Sequence, residues 1–377
     1  MAIGPLVLID GHNLFIRNYV RSPYMDANGQ RAGGTTGSIV SVRKIINDFR
    51  PSNLLVVWDG EGGGQRRRSI YSAYKEGRKV RLNQEYDFGE TPEHRMENMR
   101  KQRNDASELL GILGVPQVRA DSVEADDLIA YVAGKMDHRH GVVIVSTDQD
   151  FLQLIRANGT FENKCTGAAH VMKEQSTTCS TCGEQERSEV RVYSPIKKVM
   201  IDRERFISDY GVLPENFRLV KAITGDGSDN IDGIKGFGIK TVAKNLPVLS
   251  ERRATVDDVF EDAARLVGTL GKRLIAEKDR FLENLLLMDL SDPMLSPTAG
   301  RQAREALYRD TGCKEVEFQM RVVKDGIAFS GTDFIGPFRE LVLRRRKMLK
   351  DYGLSEKETN VDTTESTQVA GNGELNE

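Results

Sequence analysis

Two groups of carboxylates, separated by a helix pattern and a strand pattern, most constrain how this chain can fold. The helix pattern continues from Leu128, and a β-branched run over 140–145 reads as a buried strand. The first group precedes the helix and the second follows the strand, so both are expected at one edge of an α/β sheet. The five acids are Glu124, Asp126, Asp127, Asp148 and Asp150.

Like charges this close repel one another, and protons or cations must offset them at neutral pH. The set contains only carboxylates, without His or Cys, which suits hard ions such as Mg²⁺ or Mn²⁺. A simpler explanation of residues 124–127 is an acidic helix cap, because Asp and Glu favour helix N-termini. That explanation does not extend to Asp148 and Asp150, since acids after a strand have no capping role of the same kind.

Two further apolar runs end in an acid. Residues 5–10 end in Asp10 and residues 52–59 end in Asp59, and a glycine follows each acid. Runs of this composition are typical of central parallel strands, whose carboxyl ends form the sites of open α/β sheets. Asp10, Asp59 and Asp148 are therefore expected at the same edge of one sheet.

The length of 377 residues and the hydrophobic content of 39% predict one large α/β domain with an appended helical part. A net charge of −2 conceals a segregated pattern, because residues 66–82 carry seven Lys or Arg and a single acid. A basic segment beside an acidic pocket suits a metal-dependent enzyme that acts on a polyanion. No apolar run reaches membrane-spanning length and no signal peptide is evident, so we expect a soluble, cytoplasmic protein without a membrane partner.

The basic segment is expected to form an arch over residues 62–105. Lys75 and Arg78 stand at i and i+3, which would place two cations on one face where charge develops on a phosphate. Arg66 and Arg67 open the segment and are expected to contact nucleic acid. The helix pattern at 92–110 also permits a plain solvated charged helix over 95–103.

Residues 156–189 form a polar, Cys-bearing segment that is predicted to be an insertion. A C-x-x-C pair with two further ligand-type residues has zinc-site spacing, although reduced thiols without a metal explain it equally well. We expect a small zinc-stapled loop, because so polar a segment has little core of its own. The four candidate ligands are Cys165, His170, Cys179 and Cys182.

A glycine-rich stretch near residue 230 follows two more acids, Asp226 and Asp229. It leads into a helix from Ile239, an arrangement that presents backbone N–H groups to a phosphate, as a helix-hairpin-helix does. The residues expected to bind DNA here are Gly233, Lys235, Gly236, Gly238, Lys240 and Thr241.

The remaining chain reads as mainly helical to residue 353. Leu282, Leu285 and Leu286 are expected in its core. The basic run 344–347 is either a solvated helix terminus or an additional DNA contact. Residues 354–377 read as a disordered acidic tail.

Together these motifs resemble the structure-specific 5′ nuclease family, the flap endonucleases and the 5′→3′ exonuclease domains of bacterial DNA polymerase I. The resemblance covers Pro5 to Leu246 apart from the insertion, and its motifs are V-E-A-D-D, T-D-Q-D, G-D-G-S-D-N and Y-K-E-G-R. It implies a PIN-like, mostly parallel sheet flanked by helices, with a helical arch, a helix-hairpin-helix element and a C-terminal helical part. The implied parts are a core at 1–200 containing the arch and the insertion, a DNA-binding region at 201–250, helices at 251–353 and the tail at 354–377.

The resemblance also implies an activity. It implies hydrolysis of DNA phosphodiester bonds, or of RNA in RNA–DNA duplexes, with two Mg²⁺ or Mn²⁺ ions, in replication or repair. The implied metal ligands are Asp10, Asp59, Glu124, Asp126, Asp127, Asp148, Asp150, Asp226 and Asp229. Lys75 and Arg78 would act at the base of the arch, and the hairpin would hold duplex DNA and K⁺.

In two places the chain departs from the family pattern. Asp232 stands where the family usually has proline, and the Cys-bearing insertion is additional. No polymerase region follows, so the chain resembles the stand-alone forms of phages and some bacteria. We expect a monomer that acts on flap, nicked or otherwise branched 5′-ended DNA, with a clamp or single-strand-binding protein as partner. A PIN-type single-strand ribonuclease and a non-catalytic DNA-junction binder are the alternatives.

Overall fold

A mostly parallel sheet forms the centre of the molecule. The computed structural model describes residues 4–77, 91–135, 140–158, 188–293 and 295–353. Within them, six strands lie in the order β3-β2-β1-β4-β5-β6, and only β6 runs antiparallel to its neighbour. The α/β class expected from the sequence is confirmed. The strands are β1 (Leu6–Asp10), β2 (Asn53–Trp58), β3 (Gln117–Arg119), β4 (Val142–Val145), β5 (Val190–Ser194) and β6 (Val199–Ile201).

Helices follow most strands and cover the sheet. In the first part of the described chain they are α1 (Gly11–Arg21), α2 (Gly33–Phe49), α3 (Gln65–Ile70), α4 (Pro92–Ile112), α5 (Ala125–Lys135), α6 (Arg203–Tyr210) and α7 (Phe217–Thr224). A two-stranded ribbon of β7 (Gly225–Asp226) and β8 (Ile231–Asp232) follows α7. The later helices are α8 (Ile239–Asn245), α9 (Val248–Glu251), α10 (Val256–Arg265), α11 (Thr269–Ala276), α12 (Lys278–Met288), α13 (Pro297–Tyr308), α14 (Glu315–Lys324) and α15 (Gly336–Asp351). None of the described helices combines the length and apolar character that crossing a bilayer requires.

Alternate residues of each central strand bury on opposite faces of the sheet. In β1, Leu6 and Leu8 join one core, which includes residues of α5, α7, α8 and α10. Val7 and Ile9 join the other core, which includes residues of α1, α2, α4 and α15. Because both faces are covered, the central strands β1, β2 and β4 are almost entirely apolar, as is typical of parallel strands between two helical layers.

The C-terminal helices return to the sheet. Ala303 and Leu307 of α13 belong to the first core, and Phe338 and Leu341 of α15 belong to the second. The helical part thus contributes to the cores on both faces of the sheet.

The expected burial of the leucines in α12 is wrong in part. Leu282 and Leu286 are 41% and 52% exposed, and Leu285 is half-buried. The helix instead buries its other face, which includes Phe281 and Leu287. Three leucines in a row fit more than one helical face, so periodicity could not select the buried one. Leu282, Leu285 and Leu286 line a cavity of about 330 Å³ beside α3.

The basic run 344–347 was interpreted from the sequence as a solvated helix terminus or a DNA contact. Arg345, at the centre of the run, fits neither interpretation. Arg345 is 1% exposed and donates to Thr311 Oγ1 at 2.8 Å and to the Leu307 carbonyl at 3.1 Å. Burial lowers the pKa of Arg345 to about 10. Arg344 donates from Nε to the Pro51 carbonyl at 2.9 Å, and Arg346 donates to Asp310. These three arginines therefore bind α15 to neighbouring parts of the chain.

Candidate active site

The carboxyl ends of three parallel strands meet at one edge of the sheet, and an acid stands at each. Asp10 is the last residue of β1, Asp59 directly follows β2, and Asp148 comes shortly after β4. Strand β1 pairs with β2 on one side and with β4 on the other, so these ends are neighbours. The convergence expected from the sequence is confirmed for these strand ends.

Asp10 is buried at the centre of this edge. Its Oδ1 accepts from the Asn13 amide at 2.9 Å, which caps α1, and its Oδ2 accepts from Ser146 Oγ at 3.0 Å. The pKa of Asp10 is raised to about 7, mainly by burial and also by the charges of Asp59 and Asp148, although these hydrogen bonds oppose the rise. Asp59 and Asp148 thus act on Asp10 as nearby like charges.

Asp126 brings a fourth carboxylate to the same place. Asp59 Oδ1 accepts from the Ala125 amide at 2.9 Å, which fixes the start of α5 against the end of β2. Burial raises the pKa of Asp126 well above its usual value, and the nearby charges of Asp148, Asp10 and Asp59 add to this, although Lys75 opposes them. Acids from four separate segments of the chain therefore share one electrostatic site.

Lys221 joins two further acids of the site. Its Nζ lies 3.0 Å from Asp150 Oδ1 and also contacts Asp226. Burial raises the pKa of Asp150 to about 7, and Asp148 adds to the increase while Lys221 reduces it. Burial would also raise the pKa of Asp226, but hydrogen bonds from Lys221 and Ser228 outweigh it and lower that pKa.

Arg67 lies against the acids at the start of α5. Its Nη1 contacts Glu124 and donates to Asp127 Oδ2 at 2.9 Å, and its Nη2 donates to Asp127 Oδ1 at 3.1 Å. Burial would lower the pKa of Arg67, but Asp127 and Glu124 outweigh it and raise that pKa. The sequence had indicated DNA contact for Arg67, whereas its guanidinium faces protein carboxylates.

Lys75, at the base of the basic segment, also contacts Glu124. Its Nζ lies 2.8 Å from Glu124 Oε1 and 3.8 Å from Asp229 Oδ2. Burial would lower the pKa of Lys75, but Asp126 and Glu124 outweigh it and raise that pKa. Lys75 and Arg67 in turn hold the pKa of Glu124 below its usual value, although burial would raise it. Glu124 is thus ionised between two buried cations.

The donor set suits divalent cations, although cations of the protein now contact part of it. Among the described residues, no group of three or more Asp, Glu, His or Cys side chains is arranged to hold one metal ion. Mg²⁺ is commonly bound through only one or two carboxylates and several waters, so this arrangement is compatible with it. Asp10 is buried and Asp126 is half-buried, both acids have raised pKa values, and a bound cation would relieve the repulsion between them.

The glycine-rich stretch follows α7 as expected. An added Cβ at Gly233 would lie 2.1 Å from the Thr224 carbonyl oxygen, and Gly236 has a φ of +96°, so both positions require glycine. The sequence then enters α8 after Gly238, and the side chains of Lys235 and Lys240 are exposed. Thr241 is half-buried in α8.

Some sequence predictions lie outside the described residues. They are Arg78, the four candidate zinc ligands Cys165, His170, Cys179 and Cys182 with most of the predicted insertion, part of the predicted arch, and the predicted tail 354–377. Arg66 is described and lines the cavity beside α3. Sequence reasoning missed Lys221, which is 5% exposed. A signal for it was present, because a lysine interrupts the apolar run of α7 five residues before Asp226.

Fold and site together define a class, α/β proteins with an acidic site at the carboxyl edge of a mostly parallel sheet. Residues 5–183 match the family described as the 5′-3′ exonuclease, N-terminal resolvase-like domain. Over this part the chain is similar to the 5′ nucleases.

Named relatives are similar to a longer part of the chain. A 5′-3′ exonuclease of Halalkalibacterium halodurans is 28% identical over 266 residues, which are 68% of this chain and 72% of the relative. Flap endonuclease Xni of Shewanella denitrificans is 28% identical over 246 residues, 65% of this chain and 77% of the relative. DNA polymerase I of Mycobacterium bovis is 27% identical over 76% of this chain, and the match spans only 27% of that polymerase.

Two solved structures share the fold. The bacteriophage T5 flap endonuclease, in a pseudo-enzyme-product complex with DNA and metal ions, has a TM-score of 0.54 at 20% identity, covering 85% of this chain and 98% of its own. Flap endonuclease-1 from Methanococcus jannaschii has a TM-score of 0.53 at 15% identity, covering 92% of this chain and 94% of its own.

Proposed function

We propose that the protein is a metal-dependent 5′ nuclease that hydrolyses DNA phosphodiester bonds at 5′ ends and at 5′ flaps. The single observation that carries this proposal is the convergence of Asp10, Asp59, Asp126 and Asp148 from four segments on one sheet edge. A structural role does not explain this convergence, because the burial of Asp10 and the like charges of its neighbours both oppose folding. The names of the relatives support the same activity.

The cofactors of this proposal are two Mg²⁺ or Mn²⁺ ions. Each ion would be held directly by one or two carboxylates and by water. The first would lie among Asp10, Asp59, Glu124, Asp126 and Asp127, and the second would lean toward Asp148, Asp150, Asp226 and Asp229. Divalent ions bound there would supply Lewis acidity, which activates water as a nucleophile and offsets charge on the leaving 3′ oxygen. The all-oxygen donor set supports this choice of ions over softer metals.

The cations around the acids have roles of their own in this proposal. Lys75 is 19% exposed and stands beside both Glu124 and Asp229, so its charge would reach a phosphate placed at either acid. Lys221 stands in the same relation to Asp150 and Asp226. Fixed positive charges that face developing negative charge lower a reaction barrier without reorganisation. Arg78 would add a further cation from the same segment.

The glycine-rich stretch would bind the duplex next to the site. Its exposed Lys235 and Lys240 would contact backbone phosphates, and Gly233, Gly236, Gly238 and Thr241 would let the backbone approach them. K⁺ at this position stays a prediction, and the Lys235 carbonyl already accepts from Arg273 Nη1 at 2.6 Å. Asp232 is exposed beside the stretch, so duplex affinity is expected to be weaker than with an uncharged residue there.

The substrate of the proposal is branched or 5′-ended DNA. The T5 relative was solved with DNA and metal ions, which supports this substrate class. A clamp or single-strand-binding partner, a monomeric state and cleavage of RNA in RNA–DNA duplexes stay predictions from the sequence.

A cleavage assay tests the proposed function. Purified protein is incubated with a 5′-flap duplex or with unpaired RNA of the same length, with Mg²⁺ or with EDTA. We expect Mg²⁺-dependent cleavage of the flap near its junction and little cleavage of the RNA. Preferential cleavage of the RNA would favour a single-strand ribonuclease, and binding without any cleavage would favour a junction-binding protein.

A further inference from the structure

Arg67 connects three parts of the molecule through one buried guanidinium. It lies in α3, and its ion pairs with Glu124 and Asp127 reach the start of α5. Its Nε donates to the Leu287 carbonyl at 2.8 Å, near the end of α12. The side chain is 12% exposed, and all three guanidinium nitrogens contact protein acceptors.

The end of α12 is also tied to the segment that carries Asp150. Gln153 Nε2 donates to the Met288 carbonyl at 3.0 Å, and Gln153 Oε1 accepts from the Leu290 amide at 2.9 Å. Gln153 lies in the 3₁₀ turn Asp150–Leu154. Backbone groups at the end of α12 and just after it therefore anchor this turn and, through Arg67, the start of α5.

A third tie leads from α12 to the glycine-rich region. The buried Asn284 donates from Nδ2 to the Ala222 carbonyl and to the Asp232 carbonyl, both at 3.0 Å. Ala222 is next to Lys221 in α7. Helix α12 thus serves as a common support for three acid-bearing segments, although none of its own residues belongs to the acidic site.

The contacts of Arg67 are unsuited to reading DNA. A guanidinium that pairs with a carboxylate through two parallel bonds uses the donor geometry that a phosphate would need. Withdrawing it would leave Glu124 and Asp127 buried with less compensation, which is costly. Groups that fix the orientation of metal-binding carboxylates are held in this way in many proteins.

We propose that Arg67 is a positioning residue that fixes Glu124 and Asp127 against the end of α12 and so sets where these two acids stand beside the other carboxylates of the metal site. This inference rests on the proposed function, and it replaces DNA contact as the role of Arg67. Arg67 acts on the reaction only through the two acids.

Mn²⁺ binding to the protein without DNA, followed by electron paramagnetic resonance, tests the inference. We expect Arg67→Gln to weaken Mn²⁺ affinity by about 10-fold or more, the usual effect of losing a partner of a metal ligand. The Mg²⁺ concentration for half-maximal flap cleavage should rise by a similar factor. The Kd for flap DNA in EDTA should change less than about two-fold, because no phosphate contact is lost.

The exposed Arg68 on the same helix provides a matched control. Arg68→Gln removes the same charge and should leave Mn²⁺ affinity unchanged. Arg67→Lys keeps the charge but loses the paired bonds, so its Mn²⁺ affinity should lie between those of the wild type and Arg67→Gln. If Arg67→Gln does not fold, the Lys variant decides the question, and wild-type affinity in that variant overturns the inference.

Two results would contradict a positioning role. The first is unchanged Mn²⁺ affinity in Arg67→Gln. The second is weaker DNA binding with a salt dependence reduced by about one phosphate contact, which would mark a direct DNA contact. Failure of the proposed function is a separate result, since it would appear as wild-type protein that binds Mn²⁺ but does not cleave DNA.

Discussion

Lys75 Nζ lies 2.8 Å from Glu124 Oε1, which ties the base of the basic segment to the acidic start of α5. The two residues are far apart in sequence, and both side chains are largely buried. A cation of the basic segment is therefore held at the acidic site.

Replacement of Lys75 by methionine should reduce kcat for flap cleavage by about 100-fold or more. Methionine keeps the apolar stem but removes the charge that would face the scissile phosphate. Single-turnover kinetics at saturating Mg²⁺ measures the loss. Lys44→Met, at an exposed lysine of α2, should retain wild-type turnover. An equal loss in both variants would show that Lys75 has no special role.

The double replacement Asp126→Asn with Asp148→Asn should abolish cleavage and preserve binding. It removes two charges from the site where Asp10, Asp126 and Asp148 repel one another, so metal affinity falls while repulsion of DNA also falls. Gel-shift and cleavage assays on the same flap duplex separate the two effects. Asp257→Asn, at an exposed acid of α10, is the control. Wild-type turnover in the double variant would end the proposal of a carboxylate metal site.

Without divalent ions, the Asp10 carboxyl should destabilise the fold as pH rises. Its pKa in the folded protein is about 7, above the ordinary value of 3.8, so its protonated form favours the folded state. The stability it contributes is present below about pH 4 and is lost as pH rises through 7. Asp10→Asn removes this effect. The difference in unfolding free energy between the variant and the wild type should therefore grow by about 2–3 kcal/mol, in favour of the variant, from pH 5 to pH 8 in EDTA.

Denaturant unfolding at several pH values measures that difference. Mg²⁺ should reduce it at pH 8, because an ion that binds only the folded wild type stabilises it. A difference that stays constant from pH 5 to pH 8 would show that Asp10 keeps an ordinary pKa.

The glycines that follow Asp10 and Asp59 should not tolerate alanine. An added Cβ at Gly11 would lie 2.8 Å from Trp58 Cδ2, and one at Gly60 would lie 1.8 Å from the Ala120 carbonyl oxygen. Each substitution should lower the free energy of unfolding by about 1–3 kcal/mol, as overpacking does. Gly134→Ala in α5 meets no atom within 4 Å and should stabilise by up to about 1 kcal/mol. Thermal denaturation compares the three variants.

Zinc in the Cys-bearing insertion remains a prediction from spacing. Purified protein should contain stoichiometric zinc, and replacement of Cys179 and Cys182 by serine should release it, because thiolates are the strongest ligands of such a site. Elemental analysis of both proteins provides the test. A metal-free wild type would leave the cysteines as reduced thiols.

Local composition was enough to predict the central strands and the acids at their ends. Apolar runs that end in Asp10, Asp59 and near Asp148 predict parallel strands, and parallel strands in one sheet share a carboxyl edge. The conclusion followed from local composition and one general rule of α/β architecture. The resemblance of the ordered motifs to the 5′ nucleases then indicated the family.

Which charged and polar side chains stand beside those acids depends on the tertiary structure. Lys221, Arg67 and Gln153 gain their roles from partners on other elements, and a periodic pattern contains no information about such pairing. The same reason explains Leu282 and Leu286, since periodicity shows that a helix has an apolar face but not whether a neighbouring element covers it. Long-range packing brought α12 to the acid-bearing segments, and through it fixed the geometry of the site.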